Sequence, residues 1–175
     1  MCLIAALENQ VVKIASAKTA TDIDQIRALF AEYAAESKLD LCFQNFDREL
    51  ARLPGDYAPP KGCLLLAWSE DEPAGCVVLR EFSPGICEMK RLFVRPAFRK
   101  GGLGRKLAQD IIEEARRIGY AGMRLDTLAR MQAAVALYES LGFRRIEAYR
   151  PNPEADVIYM ELDLPLQPGS ASAAD

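Results

Sequence analysis

The 175-residue chain contains no histidine. That excludes Ser-His-Asp and Cys-His catalysis and removes the commonest zinc ligand. Proton chemistry must fall to carboxylates, tyrosine, lysine, cysteine or water. Long apolar runs are missing too: none approaches the roughly 18–20 residues of a membrane span. The apolar start, Met1 to Leu7, is short, has no basic leader and meets Glu8 at once. A signal peptide is therefore not expected, and the location read from the sequence is cytoplasmic. The five cysteines (Cys2, Cys42, Cys63, Cys76 and Cys87) form no CxxC pair and no metal-ligand spacing. Odd in number and mostly beside apolar runs, they read as free buried thiols, with no metal.

What is present is a globular composition, 50% hydrophobic and 27% charged, in a chain the size of one domain. The expected domain spans residues 10–163, and the Pro/Gly/Ser/Ala-rich segment 164–175 is expected to be disordered. The net charge of −3 is unevenly spread. Met89 to Gln109 holds no acidic residue but contains Lys90, Arg91, Arg95, Arg99, Lys100, Arg105 and Lys106, so the remainder carries about −10. Such an acidic chain is a poor general nucleic-acid binder, and the concentrated basic segment points to one anionic ligand.

Periodicity supplies the elements. Val11 to Ala17 reads as a strand. Thr21 and Asp24 form a capping pattern for a helix carrying Ile23, Ile26, Phe30 and Tyr33 and running to Ser37. A shorter helical face follows (Phe43, Phe46, Leu50, Leu53). Strands are expected at Cys63–Ser69, Ala74–Phe82 and Ile86–Val94, with turns at 70–73 and 83–85. Leu103, Leu107, Ile111, Ala115 and Ile118 mark an amphipathic helix that Gly119 terminates. Strand Met123–Thr127, helix Gln132–Leu141 and strands Phe143–Tyr149 and Asp156–Leu162 complete the order β-α-α-β-β-β-α-β-α-β-β. Hairpins followed by a β-α-β crossover predict an α/β (α+β) single domain with a mixed sheet.

The segment Arg99-Lys100-Gly101-Gly102-Leu103-Gly104-Arg105 follows a strand and opens a helix. Unpaired amides, the positive end of the helix dipole, glycines that let the backbone approach and flanking cations together suit a pyrophosphate. A nucleotide P-loop would need Gly-Lys-Ser/Thr, which is absent. A dinucleotide fingerprint would need a small residue where Leu107 stands, although Asp126 lies about 20 residues on.

Arg99-x-x-Gly102-x-Gly104 resembles the acetyl-CoA motif, Arg/Gln-x-x-Gly-x-Gly/Ala, of the GNAT superfamily of N-acetyltransferases. Leu92-Phe93-Val94-Arg95-Pro96 before it and Leu107, Ile111 and Ile112 after it fit the same context. Ala134 to Phe143 resembles the family's second cofactor-side motif. The resemblance covers residues 86–147. It implies the acyl-CoA N-acyltransferase fold, a mostly antiparallel sheet of six to seven strands with about four helices, and acetyl-CoA as co-substrate. It further implies that the amides of Lys100, Gly101, Gly102, Leu103, Gly104 and Arg105 hold the pyrophosphate, with Arg99 beside them. The backbone of Leu92 and Val94 would pair with the pantetheine arm, a backbone N–H near Phe93 or Val94 would polarise the thioester carbonyl, and the sheet would splay to admit the thioester. Tyr138 matches the tyrosine that protonates the leaving thiolate. Met131 departs from the pattern, standing where an asparagine is common.

Transfer to an amine also needs a base. Glu88, among Ile86, Cys87 and Met89, is the candidate, because burial would push it toward a useful range. Glu81 is the substitute. The alternative for Glu88 is an ion pair to Lys90 or to a base on the adjacent strand, and the alternative for Tyr138 is a core aromatic. The function read from all this is acetyl transfer to a primary amine of a small molecule or peptide, with a homodimer possible and no nucleic acid or membrane partner. The rivals are a catalytically silent acyl-CoA sensor and a nucleic-acid binder. The acidic early helices (Asp22, Asp24, Glu32, Glu36, Asp40, Asp47, Glu49) mildly favour a cationic amine, and a solvated face explains them equally well.

Overall fold

A computed structural model describes residues 12–38 and 45–165. Cys2, Cys42 and the expected tail beyond 165 lie outside the described residues. The elements are β1 (Val12–Ser16), α1 (Ala20–Ser37), α2 (Phe46–Arg52), β2 (Cys63–Ser69), β3 (Glu72–Ser83), β4 (Ile86–Val94), α3 (Leu103–Ile118), β5 (Gly122–Leu128), α4 (Gln132–Ser140), β6 (Arg144–Ile146) and β7 (Val157–Asp163). The seven strands form one sheet in the order β1-β2-β3-β4-β5-β7-β6. Only β4–β5 is parallel; the other pairs are antiparallel. The element order is the one expected, and no described helix is long and apolar enough to cross a membrane.

The cores explain the patterns. In β2, Leu64 and Leu66 face α1, where Ile26, Leu29 and Phe30 pack. Cys63, Leu65 and Ala67 face the other way, onto Leu107, Ile111 and Ala115 of α3. A strand covered on both faces reads as a continuous apolar run rather than an alternation. Cys63, Cys76 and Cys87 are free and buried in these layers; burial pushes the Cys63 thiol up to about 11 and Cys87 up to about 12.

The cap of helix α1 lies two residues before the expected one. Thr19 is the N-cap: its hydroxyl accepts from Asp22 N–H at 3.1 Å, and Asp22 accepts from the Thr19 and Lys18 amides at 2.9 and 3.0 Å. These backbone donors hold the Asp22 carboxyl below its ordinary value. The sequence contains two overlapping Thr-x-x-Asp pairs, and Asp24 of the second is turned to Arg27 instead.

Two features of β4 position the site. Its ladder to β5 stops after three pairs, Ile86–Gly122, Cys87–Met123 and Glu88–Arg124. Beyond them the strands diverge. At the same point β4 bulges: Val78 pairs with Lys90 and Cys76 with Phe93, so two residues, Arg91 and Leu92, oppose one. Arg91 adopts φ 57°, which costs a side-chain-bearing residue about 1–2 kcal/mol. Its guanidinium is over-determined by Glu49, at 2.7 and 3.2 Å, and by the rings of Tyr33 and Phe46.

Candidate active site

The divergence opens a narrow cleft of about 100 Å³ between Met89–Leu92 and Leu125–Leu128, with Tyr138 in its wall. On one side it continues into a groove of about 570 Å³ that runs past Leu92, Val94, Gly102, Gly104 and Leu137. Tyr33, Leu92, Met131 and Ala134 line both. On the other side lies a cavity of about 650 Å³ lined by Arg80, Lys90 and Arg150. Lys90 and Asn152 line both cleft and cavity.

The groove contains the expected phosphate turn. Lys100 and Gly102 take φ 70° and 77°, which curl the chain before α3. The amides of Gly102, Leu103, Gly104 and Arg105 precede the first intrahelical bond, from Lys106 N–H to Gly102 O at 3.0 Å, and no side chain caps them. A Cβ at Gly101 or Gly102 would meet nothing within 4 Å, so the face of the turn is open. Such a helix start is an anion site by geometry and dipole.

Backbone alternation brings Leu92 and Val94 to the groove. Arg95 N–H donates to Ala74 O at 2.9 Å, and a Cβ on Gly75 would sit 2.6 Å from Phe93 O, so the main-chain groups of Phe93 and Arg95 face β3. Those of Leu92 and Val94 therefore face the open side. Val94 O accepts from Arg99 Nε at 2.8 Å.

The basic segment is used differently from what its charge implied. Arg91, Arg95 and Arg99 are ion-paired to Glu49, Glu32 and Glu36 of the first two helices. Arg105 donates to Ser140 Oγ at 2.9 Å. The acidic early helices are thus largely spent on the protein's own arginines.

Tyr138 is 8% exposed and stacks edge-on against Phe143 at 5.7 Å. Its hydroxyl makes no protein hydrogen bond among the described residues. Burial holds the phenol well above its ordinary value, so it stays a proton donor across ordinary pH.

Glu88 lies beneath the cavity and is completely buried. Cys87 and Met89 face α3, so Glu88 points to the opposite layer. Arg80, directly across the ladder, donates to Oε2 from Nε and Nη2 at 3.1 and 3.0 Å. Arg150 Nη1 lies 2.7 Å from Oε1, and Tyr149 OH donates to the same oxygen at 3.2 Å. Arg150 also pairs with Asp126, which Asn152 holds at 3.3 Å. Its Nε is buried without an acceptor. The sequence reading of Glu88 weighed burial against an ion pair to Lys90 or an adjacent-strand base, which Arg80 is, and did not include Arg150, Tyr149 or Asp126. The Glu88 carboxylate thus holds two guanidiniums and the Tyr149 phenol together. Glu81 is ion-paired to Lys61 at 2.7 Å and lines neither cleft nor cavity. Lys90, 8% exposed, is held down to about 8 mainly by burial, with Arg91 and Arg150 adding to it and Glu88 and Asp126 opposing.

The sequence pattern of the Acetyltransferase (GNAT) family matches residues 23–143. An uncharacterized N-acetyltransferase of Schizosaccharomyces pombe is 44% identical over 155 residues, covering 87% of this chain and 95% of that protein. An acetyltransferase of Streptococcus agalactiae has a similar structure, with a TM-score of 0.74 at 22% identity over 89% of this chain and 99% of that one. A GNAT family acetyltransferase of Elizabethkingia anophelis, solved with acetyl-CoA bound, gives 0.63 at 23% identity over 87% and 98%.

Proposed function

This chain belongs to the acetyltransferase (GNAT) family, and on that footing we propose that it transfers the acetyl group of acetyl-CoA to a primary amine of a small molecule or peptide. The observation that carries the reading is the three-pair β4–β5 ladder. It leaves a cleft that joins an anion-binding groove to a separate polar cavity, with Tyr33 and Tyr138 in its wall. Two substrates can thus meet end to end inside the sheet, as direct transfer requires.

The groove fits the co-substrate. The amides of residues 100–105 hold the pyrophosphate, Lys100 and Arg105 add charge at its rim, and the main chain of Leu92 and Val94 takes the pantetheine arm as an added strand. Acetyl-CoA supplies an acyl carbon activated by its thioester. A backbone N–H at the Leu92–Val94 edge polarises the carbonyl. The acceptor's neutral amine forms the new C–N bond as the C–S bond breaks. One proton leaves the nitrogen for water in the cleft, Tyr138 delivers one to the departing sulfur, and the phenolate regains its proton from that water. Glu88 positions Arg80 and Arg150.

Release of free thiol from acetyl-CoA, followed over polyamines, amino acids, aminoglycosides and peptide N-termini, tests this. Amine-dependent release supports it. Tight acetyl-CoA binding with no amine-dependent release makes the protein a silent acyl-CoA sensor instead.

A further inference from the structure

We propose that the acceptor amine carries a carboxylate, which docks against Arg80, Lys90 and Arg150 while the amine reaches into the cleft. This rests on the acetyl-transfer reading and names its substrate class.

The cavity of about 650 Å³ is the size of a small-molecule site. Its wall presents three cationic side chains, drawn from β3, β4 and the loop before β7. Among the described residues the one carboxylate on the wall is Glu49. Both its oxygens are engaged by Arg91, and Tyr57 donates to one of them at 2.6 Å. Burial works against the Glu49 carboxylate, but Arg91 and Tyr57 more than offset it and hold the group below its ordinary value. The nearby Glu88 is shut off from solvent. A cationic group entering the cavity would meet three like charges on its wall, two of them paired beneath it with Glu88, and a carboxylate already committed. Arg80 spends Nε and Nη2 on Glu88, and Arg150 spends Nη1 on Glu88 and Nη2 on Asp126, so an incoming carboxylate would meet the remaining Nη hydrogens of both guanidiniums and the Lys90 ammonium. Because Lys90 and Asn152 line both spaces, a molecule anchored in the cavity abuts the reaction cleft.

The test compares initial rates of thiol release for L-amino acids and the matching L-amino acid amides. An amide's amine is less basic and has the larger neutral fraction near pH 7.5, so chemistry alone favours the amide. A kcat/KM at least tenfold higher for the acids is expected, the size of one charge-assisted contact. Arg80→Gln should raise the KM of the acids and leave the KM of acetyl-CoA unchanged. Since that change frees a buried carboxylate, Lys90→Met serves as the second variant and should reduce the preference by about tenfold. In the unaltered protein the preference should also fall above pH 8, where Lys90 loses its proton among Glu88, Arg91, Arg150 and Asp126, with Arg80 and Glu49 across the cavity. Lys90→Met should show no such fall. Amides turned over as fast as the acids, or faster, overturn the carboxylate assignment and leave acetyl transfer standing. A protein that binds no acetyl-CoA loses both.

Discussion

Removing a single oxygen, Tyr138→Phe, separates chemistry from architecture at this site. The ring is 8% exposed and keeps its edge-on contact with Phe143 at 5.7 Å. The hydroxyl makes no hydrogen bond to a described residue, so nothing in the protein is left unsatisfied by its loss. Stability should therefore change by less than about 1 kcal/mol. A general acid, by contrast, contributes about 10²–10⁴ in rate, or about 2.7–5.4 kcal/mol of barrier. The expected variant has an unchanged thermal midpoint, a KM for acetyl-CoA within about twofold of the original, and kcat lower by at least a hundredfold. Steady-state thiol release at saturating co-substrate reads all three beside a melting curve. A kcat within threefold of the original would return Tyr138 to the role of a core aromatic.

Glu88→Gln should cost about 3–5 kcal/mol, because it leaves two guanidiniums around an uncharged amide; it should raise the KM of the acceptor and leave the pH inflection of kcat where it was, and a lost inflection would make Glu88 the base. Gly102→Ala forces φ 77° on a residue with a Cβ, so about 1–2 kcal/mol of strain is expected, together with a raised KM for acetyl-CoA and an unchanged kcat at saturation; a lowered kcat instead would move the turn into the chemistry. Burial holds the Tyr33, Tyr57, Tyr138 and Tyr149 phenols above their ordinary value of 10.0. Above pH 10 the unfolded chain binds fewer protons than the folded one, so stability falls as pH rises. Lys90 alone acts the other way between about 8 and its ordinary 10.5. Urea midpoints should therefore drop between pH 10 and 11, and a constant midpoint would contradict the buried phenols.

Local chemistry made the core elements and the phosphate turn readable. β2 and β4 run over the residues expected, because both-face burial, Pro96 and the turn at 84–85 bound them sharply. β6 shortens to Arg144–Ile146 because β7 alone pairs with it. The helix start moved because Thr19–Asp22 and Thr21–Asp24 offer the same signal two residues apart. The cluster around Glu88 was half legible. Arg80 is its cross-strand neighbour, an outcome the adjacent-strand alternative had included, but its register depends on an irregularity between Glu81 and Ser83. Arg150 and Tyr149 come from the loop between β6 and β7, whose path no periodicity encodes. Pairing between the basic segment and Glu32, Glu36 and Glu49 links residues 42 to 63 positions apart, a distance over which charge counting carries no partner information.

Calorimetric titration of the protein with coenzyme A and, separately, with pantetheine tests the diphosphate cradle most directly. The two share the arm that Leu92 and Val94 are assigned to hold and differ by the diphosphate assigned to the amides of residues 100–105 together with the 3′-phosphoadenosine it carries. Coenzyme A should bind at least a hundredfold more tightly, the yield of two or more charge-assisted contacts. Equal affinity for the two, or no heat with coenzyme A, would contradict the account.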